Sequence, residues 1–425
     1  MKKVVGIIGL GYVGAPLAYL TATNDYKVIG IDTDEKKIKN INNKKNIPKQ
    51  LQEQYQENNY DIIASSNYKE LLSAEIIIIC VPTPTINNKP DTSILENVIE
   101  CLCPVINKKP LIIVESTIAP GMTKRIVEDG FKKSDIIVEK DYELAYCPER
   151  IDPGNKQLWV GNINRVCGAD SKKTLSKALE FYSSIIKAKI VEMNSIEEAE
   201  LVKVWENSAR NALIAQSNLL AKICDKKNFS VNKIIEGLNS KTEQFIPTIA
   251  YPGIGPGGHC IPEDIHYLIE AIEPFDIDMN FFRESVRINE GMPKYATEKL
   301  ISQVNKNQDQ IENLKITMLG ISYKANSDDT RKSQAMELYN IIKGKDLSID
   351  YFDPVVDNIP KEEVDKLLDD YLSNTDIVIL GCSHNIFKDI DFSKYKQIKY
   401  LLDCWNKFDK ETIKNLQIEY IGIGE

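Results

Sequence analysis

The residue best suited to covalent chemistry in this sequence is a cysteine set among glycines and prolines. Cys260 lies in the segment Gly255-Pro256-Gly257-Gly258-His259-Cys260-Ile261-Pro262-Glu263-Asp264. Such a segment forms a rigid turn that brings backbone amides and a thiol close to a ligand. If a helix begins after Pro262, its dipole favours the nucleophilic thiolate of Cys260. The alternative is an inert buried cysteine, which is commoner in general but is seldom surrounded by so much Gly and Pro.

A second group of residues predicts a dinucleotide site. Gly9-Leu10-Gly11-Tyr12-Val13-Gly14 directly follows the first expected strand and opens a helix. Glycines at this spacing permit a tight turn and close approach to a pyrophosphate, and the helix N-terminus supplies amide donors. Asp32 ends the next expected strand, where a carboxylate accepts ribose hydroxyls and repels a 2′-phosphate, so NAD is favoured over NADP. The alternative is a glycine-rich turn that holds no ligand.

Two further segments follow expected strands of the same sheet, Val81-Pro82-Thr83-Pro84 and Glu115-Ser116-Thr117. Ligand crevices in doubly wound sheets open at the carboxyl ends of the strands. We therefore expect both segments to line the cofactor cleft.

The longest expected helix carries a polar stripe. Three- and four-residue steps place one set of side chains on a common face: Lys203, Asn207, Arg210 or Asn211, Ile214 and Asn218. A second, apolar stripe can serve as the packing surface: Ala199, Val202, Ala209, Leu213 and Leu220. The polar stripe is either a solvated face or part of a site, and the nearby Cys260 loop favours the site.

The elements that must position these residues are two α/β regions and a helical middle. Alternating strand and helix patterns at both ends predict an α/β protein with two Rossmann-like, doubly wound parallel-sheet domains joined by a long central helix. The strands expected in the first region are Val4–Leu10, Lys27–Asp32, Glu75–Val81, Leu111–Ser116, Glu143–Cys147 and Lys189–Glu192. Those expected in the last region are Lys315–Leu319, Ser348–Phe352, Asp376–Leu380 and one near Lys399 through Asp403.

The helix is predicted from its start signal. Ser195-Ile196-Glu197-Glu198 has the spacing of a capping box, and neither Gly nor Pro follows before Gly237, so one helix should run from about Ile196 to Lys226. We expect an NAD-binding domain over residues 1–193, a central helical domain with the Cys260 loop over 194–307, and a second Rossmann-like domain over 308–425.

Composition excludes several classes of protein. The 425 residues carry a net charge of −9 with scattered basic residues, which disfavours nucleic acid as a partner. The longest aliphatic run, Ile76–Val81, is far shorter than the ~20 residues of a membrane span. The nine cysteines show no CxxC spacing, and His259, His266 and His384 show no ligand spacing, so we expect neither disulfides nor a metal site. Glycines interrupt the apolar start of the chain, and we expect a cytoplasmic protein.

Considered together, the motifs resemble those of the nucleotide-sugar 6-dehydrogenases, the family of UDP-glucose and GDP-mannose dehydrogenases and their UDP-N-acetylhexosamine relatives. The resemblance covers nearly the whole chain. It rests on the Gly9–Gly14 fingerprint, Glu115-Ser116-Thr117, Pro148-Glu149-Arg150-Ile151-Asp152-Pro153-Gly154, Ala199-Glu200-Leu201-Val202-Lys203 with Asn207 and Arg210, the Cys260 loop, Gly320-Ile321-Ser322-Tyr323-Lys324, and Asp328-Asp329-Thr330-Arg331.

The resemblance implies four-electron oxidation of a sugar C6 alcohol to a carboxylate with NAD, and a C-terminal domain that binds the UDP-sugar. The catalytic residues it implies are Cys260 as nucleophile, Lys203 and Asn207 as oxyanion donors, Asp264 as the group that assists water, Glu149 as acid or base, and Thr117 as a residue that orients water or substrate. Arg331 is implied to reach the cofactor. The implied substrate contacts are Arg150, Ile151, Lys203, Asn207, Gly257 and Lys324. The long helix is implied to form a homodimer or a higher homo-oligomer.

The segments Pro148–Gly154 and Gly257–Pro262 look like those of the acetamido-sugar branch. This favours a UDP-N-acetylhexosamine as substrate and a role in making surface-polysaccharide precursors. The chain departs from relatives at Gln244–Pro247, where a basic residue is absent. The alternatives are a UDP-glucose 6-dehydrogenase, a one-step NAD-dependent 3-hydroxyacid dehydrogenase and a non-catalytic NAD-binding protein.

Overall fold

The computed structural model of the chain describes residues 2–45, 47–52, 60–150, 159–240 and 250–425. These residues form two compact units. Unit 1 comprises residues 1–206 and 266–277, and unit 2 comprises residues 207–265 and 278–425.

Unit 1 is built on an eight-stranded sheet. Its strands are β1 Val4–Ile8, β2 Lys27–Ile31, β3 Ile62–Ser65, β4 Ile76–Ile79, β7 Leu111–Val114, β8 Glu143–Tyr146, β9 Arg165–Ala169 and β10 Ile190–Glu192. The order across the sheet is β10-β9-β8-β7-β4-β1-β2-β3, and neighbours are parallel except at the β8–β9 pair, which is antiparallel. A small hairpin of β5 Thr85–Ile86 and β6 Lys89–Pro90 follows β4.

Helices connect the strands of this sheet: α1 Gly14–Ala22, α2 Glu35–Asn42, α3 Ser93–Leu102, α4 Met122–Lys132 and α5 Lys172–Ile185. The central strands are buried throughout, as in β4, where all four isoleucines are at most 8% exposed. Continuous apolar strands of this kind are typical of parallel sheets covered on both faces.

The longest helix, α6, runs from Ile196 to Lys227. The Ser195 Oγ accepts the Glu198 N–H at 3.2 Å, which is the serine half of the predicted capping box. The Glu198 carboxylate bonds the N–H of Asn194 instead of that of Ser195, so the second half is displaced by one residue. The unit boundary falls within this helix, after Glu206.

Unit 2 contains a five-stranded sheet in which all pairs are parallel, in the order β12-β11-β13-β14-β15. Its strands are β11 Ile316–Leu319, β12 Ile349–Phe352, β13 Ile377–Leu380, β14 Tyr400–Asp403 and β15 Glu419–Gly422. The remaining helices are α7 Val231–Asn239, α8 Ile261–Ile272, α9 Asn280–Glu290, α10 Met292–Lys306, α11 Gln334–Lys343, α12 Lys361–Leu372 and α13 Lys410–Asn415; α8 passes into unit 1 at His266. Alternate residues of β13 enter two separate cores on opposite faces of the sheet.

The predicted fold class is confirmed, and the long helix ends one residue beyond its expected limit. Every expected strand is present, shorter by one to three residues. Five strands of the described residues were not predicted: β3, β9, β15 and the two short strands of the hairpin, β5 and β6. β9 begins at the charged Arg165, and β15 holds Glu419 and Gly422, so neither has the continuous apolar run that identified the others. The domain boundaries at 193 and 307 stay a prediction.

None of the helices in the described part of the chain combines the length and the apolar character that a membrane span requires.

Candidate active site

The glycine turn after β1 has the geometry that a dinucleotide needs. Gly9 has φ +90°, and a Cβ there would lie 2.6 Å from the Cys80 carbonyl oxygen. A Cβ on Gly14, where α1 begins, would lie 1.8 Å from the Gly9 carbonyl oxygen. A Cβ on Gly11 would meet nothing within 4 Å. The first and third glycines are therefore required by the fold, while the space at the second leaves the backbone open to a pyrophosphate.

The residues between these glycines complete the start of α1. Val13 is the residue that precedes the helix, and Tyr12 is 63% exposed. The residue types and the open backbone of this turn fit NAD.

Asp32 binds this turn to the end of β2. Its Oδ2 accepts the Leu10 N–H at 2.7 Å and lies 3.3 Å from the Lys37 Nζ, while its Oδ1 accepts the Asp34 N–H at 2.9 Å. A carboxylate has about four lone-pair sites, so these bonds leave acceptor capacity for a ribose. The structure thus adds a backbone-bracing role to the predicted ribose contact, which stays a prediction.

The structure joins the two segments that were predicted to line the cofactor cleft. The Thr83 Oγ1 donates to the Thr117 carbonyl oxygen at 2.6 Å, and the Ser116 Oγ donates to that of Val81 at 2.7 Å. The Tyr267 hydroxyl also donates to the Thr83 carbonyl oxygen at 2.9 Å. The segments after β4 and β7 are therefore held as one surface within unit 1.

A buried ion pair that the sequence did not reveal lies beneath this surface. The Arg165 Nη1 is 2.8 Å from the Glu115 Oε1, and both side chains are fully buried. The Tyr182 hydroxyl donates to the same oxygen at 2.5 Å. Burial and the Glu115 charge raise the pKa of Tyr182, so the phenol keeps its proton and remains a donor. Glu115 precedes Thr117 by two residues, so the pair anchors the strand end that carries Thr117.

The predicted acid or base and its neighbour lie next to this anchor. Glu149 is partly buried, and its N–H donates to the Glu115 carbonyl oxygen at 3.4 Å. The Arg150 Nε donates to the Glu206 Oε2 at 2.9 Å. Arg150, which belongs to the predicted substrate-binding motif, is therefore hydrogen-bonded to α6. Ile151 lies outside the described residues.

Within unit 1, α6 contributes two buried polar residues. Lys203, the predicted oxyanion donor, is 6% exposed. Glu200 is fully buried and accepts the N–H groups of Gly121 and Thr123 at 2.6 and 2.8 Å, at the start of α4. Burial raises the pKa of Glu200 to about 7, although these N–H donors lower it.

In unit 2 the polar stripe of α6 is buried, and the solvated alternative is wrong. The Asn207 Nδ2 donates to the Asp264 Oδ2 at 2.5 Å, and the Asn218 Oδ1 accepts the Gly253 N–H at 3.0 Å. Asn211 reaches the Ile261 carbonyl oxygen at 3.4 Å. The stripe therefore holds the Cys260 loop at several points. Arg210 is exposed.

The expected packing stripe of α6 is only partly correct. Ala199 is buried, whereas Val202, Ala209, Leu213 and Leu220 are half-buried. The amides of the polar stripe bond backbone groups of the loop and the side chains of Ser285 and Asn289 on α9. Because these bonds satisfy the amides, the polar face can be buried in place of the apolar one.

Cys260 immediately precedes α8, which begins at Ile261, before Pro262 and not after it. Its carbonyl oxygen accepts the N–H groups of Glu263 and Asp264 at 3.2 and 2.9 Å, which starts the helix. The side chain is partly exposed. A half-buried thiol at a helix N-terminus has the environment that favours a nucleophilic thiolate.

The glycines before Cys260 are required by a close contact with the loop after β11. A Cβ on Gly257 would lie 2.7 Å from that of Tyr323, and a Cβ on Gly258, where φ is +81°, would lie 2.8 Å from the Tyr323 ring. The Gly258 N–H donates to the Arg331 carbonyl oxygen at 3.1 Å, and Lys332 pairs with Glu263 at 3.1 Å. The Cys260 loop therefore packs against residues 320–332, which include the predicted ligand residues Lys324 and Arg331.

The Arg331 guanidinium itself is 2.5 Å from the Asp329 carboxylate. This ion pair lowers the pKa of Asp329. Arg331 remains half-exposed, and its predicted contact with the cofactor stays a prediction, as do the chemical roles of the other site residues.

Sequence reasoning assigned no supporting role to the residues that hold the site through distant partners. They are Glu200, Arg165, Tyr182, and the buried trio of Ser322, Asp353 and His384. Their partners lie 31 to 79 residues away along the chain, so no local spacing signals them.

Comparison with known proteins places the whole chain in one group. Three models of the UDP-glucose/GDP-mannose dehydrogenase family match it: the NAD binding domain over residues 3–186, the central domain over 197–291 and the UDP binding domain over 317–410. UDP-N-acetyl-D-mannosamine dehydrogenase of Methanococcus vannielii is 31% identical over 99% of this chain and 97% of its own. UDP-N-acetyl-D-glucosamine 6-dehydrogenase of Salmonella typhi is 30% identical over 93% and 95%. The solved UDP-D-ManNAc dehydrogenase of Pyrococcus horikoshii superposes with a TM-score of 0.88 at 28% identity, covering 99% of both chains.

Proposed function

Because this chain belongs to the UDP-glucose/GDP-mannose dehydrogenase family, we propose that it oxidises the C6 alcohol of a UDP-N-acetylhexosamine to the uronic acid. NAD is the cofactor of the family's N-terminal domain. One observation carries the proposal. Within unit 2, the Cys260 loop is bonded to Asn207, and the same loop packs against residues 320–332, which belong to the segment matched by the UDP binding domain. A one-step dehydrogenase would need no such nucleophile.

In this proposal the cofactor binds at the glycine turn of unit 1. The open backbone at Gly11, the N-terminus of α1 and the carboxylate of Asp32 suit its pyrophosphate and adenosine ribose. Bound NAD accepts a hydride, and the oxidation of an alcohol to an acid requires two such transfers.

Cys260 supplies the step that distinguishes oxidation to the acid from a one-step oxidation that stops at the aldehyde. The alcohol loses a hydride and a proton to give an aldehyde, and the thiolate adds to the aldehyde carbon. Loss of a second hydride leaves a thioester, which water cleaves to the carboxylate and the regenerated thiol.

The polar groups of α6 act on the C6 oxygen. Lys203 and Asn207 are one helical turn apart and supply donors to the charge that develops there, where mutagenesis of such donors commonly gives ~3 kcal/mol each. Asp264 accepts the Asn207 amide and so fixes its orientation. In this proposal Asp264 also orients the water that cleaves the thioester, while Glu149 transfers protons.

All three relatives named above act, by their names, on UDP-N-acetylhexosamines, which supports the substrate class. The product would serve as an acidic sugar donor for surface-polysaccharide synthesis.

The test is a comparison of kcat/KM for UDP-ManNAc, UDP-GlcNAc, UDP-GalNAc, UDP-glucose and GDP-mannose with NAD, together with the mass of the product. We expect two NADH and one uronic acid per sugar. An acetamido sugar should be preferred by about 10- to 100-fold in kcat/KM, because a sugar without the acetamido group leaves a polar group of the pocket unpaired. A preference for UDP-glucose would show that UDP-glucose is the substrate and not an acetamido sugar. One NADH with an aldehyde product, or no turnover, would contradict the reaction.

We also propose that the chain forms a homodimer through α6. Four large apolar side chains on this helix are 38 to 51% exposed: Leu201, Trp205, Leu219 and Ile223. With 100° per residue they fall within about 40° of one another around the helix axis. A straight apolar stripe of this kind suits a second copy of the same helix across a two-fold axis.

A further inference from the structure

The turn after β11 is clamped by an aspartate at the end of β12. The Asp353 Oδ2 accepts the N–H groups of Ile321 and Ser322 at 2.8 and 3.2 Å, and its Oδ1 accepts those of Val355 and Val356. Asp353 is fully buried. The beginning of the turn is therefore fixed by backbone bonds that do not depend on any ligand.

The far end of the turn is held by a histidine from the loop after β13. The His384 Nδ1 accepts the Asn326 N–H at 2.7 Å, and its Nε2 lies 3.1 Å from the Asp353 Oδ2 and 3.3 Å from the Ser322 Oγ. The imidazole is 1% exposed. Because Nδ1 receives a hydrogen bond it carries no proton, so the ring is neutral in this arrangement and Nε2–H donates to Asp353.

The side chain of Ser322 extends this network to the middle of the turn. Its Oγ donates to the Lys324 carbonyl oxygen at 3.0 Å while it faces the His384 Nε2. Ser322, Lys324 and Asn326 are thus all connected to the same imidazole or its partners.

These contacts lie where a doubly wound sheet binds ligands. β11 stands between β12 and β13. The chain continues from β11 to β12 on one side and from β13 to β14 on the other, so a crevice opens at the carboxyl ends of β11 and β13. The turn from Gly320 to Asn326 and the loop that carries His384 border this point. Both are within the segment that matches the family's UDP binding domain.

We infer that His384 is a positioning residue for the nucleotide-sugar: by accepting the Asn326 N–H it holds the Gly320–Asn326 turn, and with it Lys324, in the shape that binds UDP. This inference rests on the proposed function for the identity of the ligand. His384 itself is buried behind the turn and acts through it.

The protonation state of His384 controls the contact. Burial lowers the pKa of His384, while its hydrogen bonds to Asp353 and Cys382, the two titratable groups against the ring, raise it to about 9. A protonated Nδ1 would direct an N–H at the Asn326 N–H. The contact is therefore lost as the pH falls through this pKa, and substrate binding should tighten as the pH rises from about 6.5 to about 9.

Two amide variants test the roles of the two ring nitrogens of His384 one at a time. In His384→Asn, the amide oxygen can take the place of Nδ1 and accept the Asn326 N–H. In His384→Gln, the amide nitrogen can take the place of Nε2 and donate to Asp353, but no acceptor faces Asn326. At about pH 9.5, above the pKa of His384, we expect His384→Gln to raise KM for the UDP-sugar about tenfold or more with kcat changed less than about threefold, because a backbone N–H loses its partner. At the same pH His384→Asn should stay within about threefold of the wild type in both constants.

The pH arm of the experiment needs only the wild-type protein and His384→Asn, so it remains decisive if His384→Gln does not fold. Wild-type KM should fall between pH 6.5 and pH 9, and that of His384→Asn should not change, since an amide does not titrate. Calorimetric titration with UDP alone reports binding without turnover.

Equal KM values for the two variants, or the same pH dependence in His384→Asn as in the wild type, would overturn the inference and leave the proposed function intact. Failure of the wild-type protein to bind UDP or any UDP-sugar would instead overturn the proposed function and the inference with it.

Discussion

Cys260 owes its expected reactivity to the backbone around it. The thiol precedes α8, and the glycines before it allow the loop to lie against Tyr323 with no side chain between them. The local sequence encodes the glycines and the helix start, because these are properties of neighbouring residues, but it does not reveal the distant partner Tyr323.

We predict that Cys260→Ala abolishes uronic acid formation, with kcat at least about 10³-fold lower, because no thioester can form without the thiol. Binding of NAD and of UDP-sugar should change little. The measurement is product mass and NADH yield, with calorimetry for binding. Cys101→Ala, which removes another partly exposed thiol, is the matched control and should retain full activity. Acid formation by Cys260→Ala near the wild-type rate would show that the residue is structural.

The residues that sequence reasoning missed have partners far along the chain. Glu115 was noted only as part of a motif, and its pairing with Arg165 depends on β9, which was not predicted. His384 was noted in the sequence only for its lack of metal-ligand spacing, whereas in the structure it accepts a hydrogen bond from Asn326. What could not be predicted was its partner, since that depends on the order of β11 and β13 in the folded sheet.

Among the elements, α6 shows how a helix can bury its polar face. Its asparagines bond the loop before α8, so their burial does not leave amides unsatisfied. The helix pattern alone left the choice between a solvated face and a site open, because periodicity places side chains on a face without telling what covers it.

The contact between α6 and α4 gives a prediction about pH. Glu200 has its pKa raised to about 7 by burial, against an ordinary value of 4.5. Between these values the unfolded chain releases a proton that the folded chain keeps, so Glu200 reduces the free energy of unfolding as pH rises from about 4.5 to about 7. The reduction is on the order of 3 kcal/mol at most. Above pH 7 both states are ionised, and no further change is expected from this residue.

Urea unfolding between pH 5 and pH 8 checks this expectation. Relative to the wild type, Glu200→Gln should gain stability as the pH rises, because an amide has no proton to release. Glu180→Gln replaces a carboxylate that is 75% exposed and should follow the wild-type curve throughout. Parallel curves for Glu200→Gln and the wild type would show that the buried carboxyl titrates normally.

At the scale of the whole molecule, both sheets hold the turn after their first strand in the same way, with an aspartate that follows the neighbouring strand. The Asp32 Oδ2 accepts the Leu10 N–H at 2.7 Å in unit 1, and the Asp353 Oδ2 accepts the Ile321 N–H at 2.8 Å in unit 2. Each turn starts with a glycine at positive φ that approaches the backbone of a neighbouring strand, Gly9 against Cys80 and Gly320 against Cys382. The second turn lacks the glycine fingerprint, so the residue pattern by itself predicted a ligand site only at the first, and the second was noted only through the family resemblance.

The last prediction concerns assembly. If the exposed stripe of α6 forms a homodimer, Ile223→Glu places two carboxylates in a symmetric interface, where charges without partners are costly. The wild type should have twice the chain mass of 48.1 kDa, and the variant should be a monomer or dissociate at concentrations at least about 100-fold higher. Sedimentation over a range of concentrations measures this. Ile137→Glu is the matched control, because Ile137 is 51% exposed and Ile223 is 50% exposed, and it should leave the dimer unchanged. A dimeric Ile223→Glu protein, or a monomeric wild type, would exclude α6 as the dimer interface.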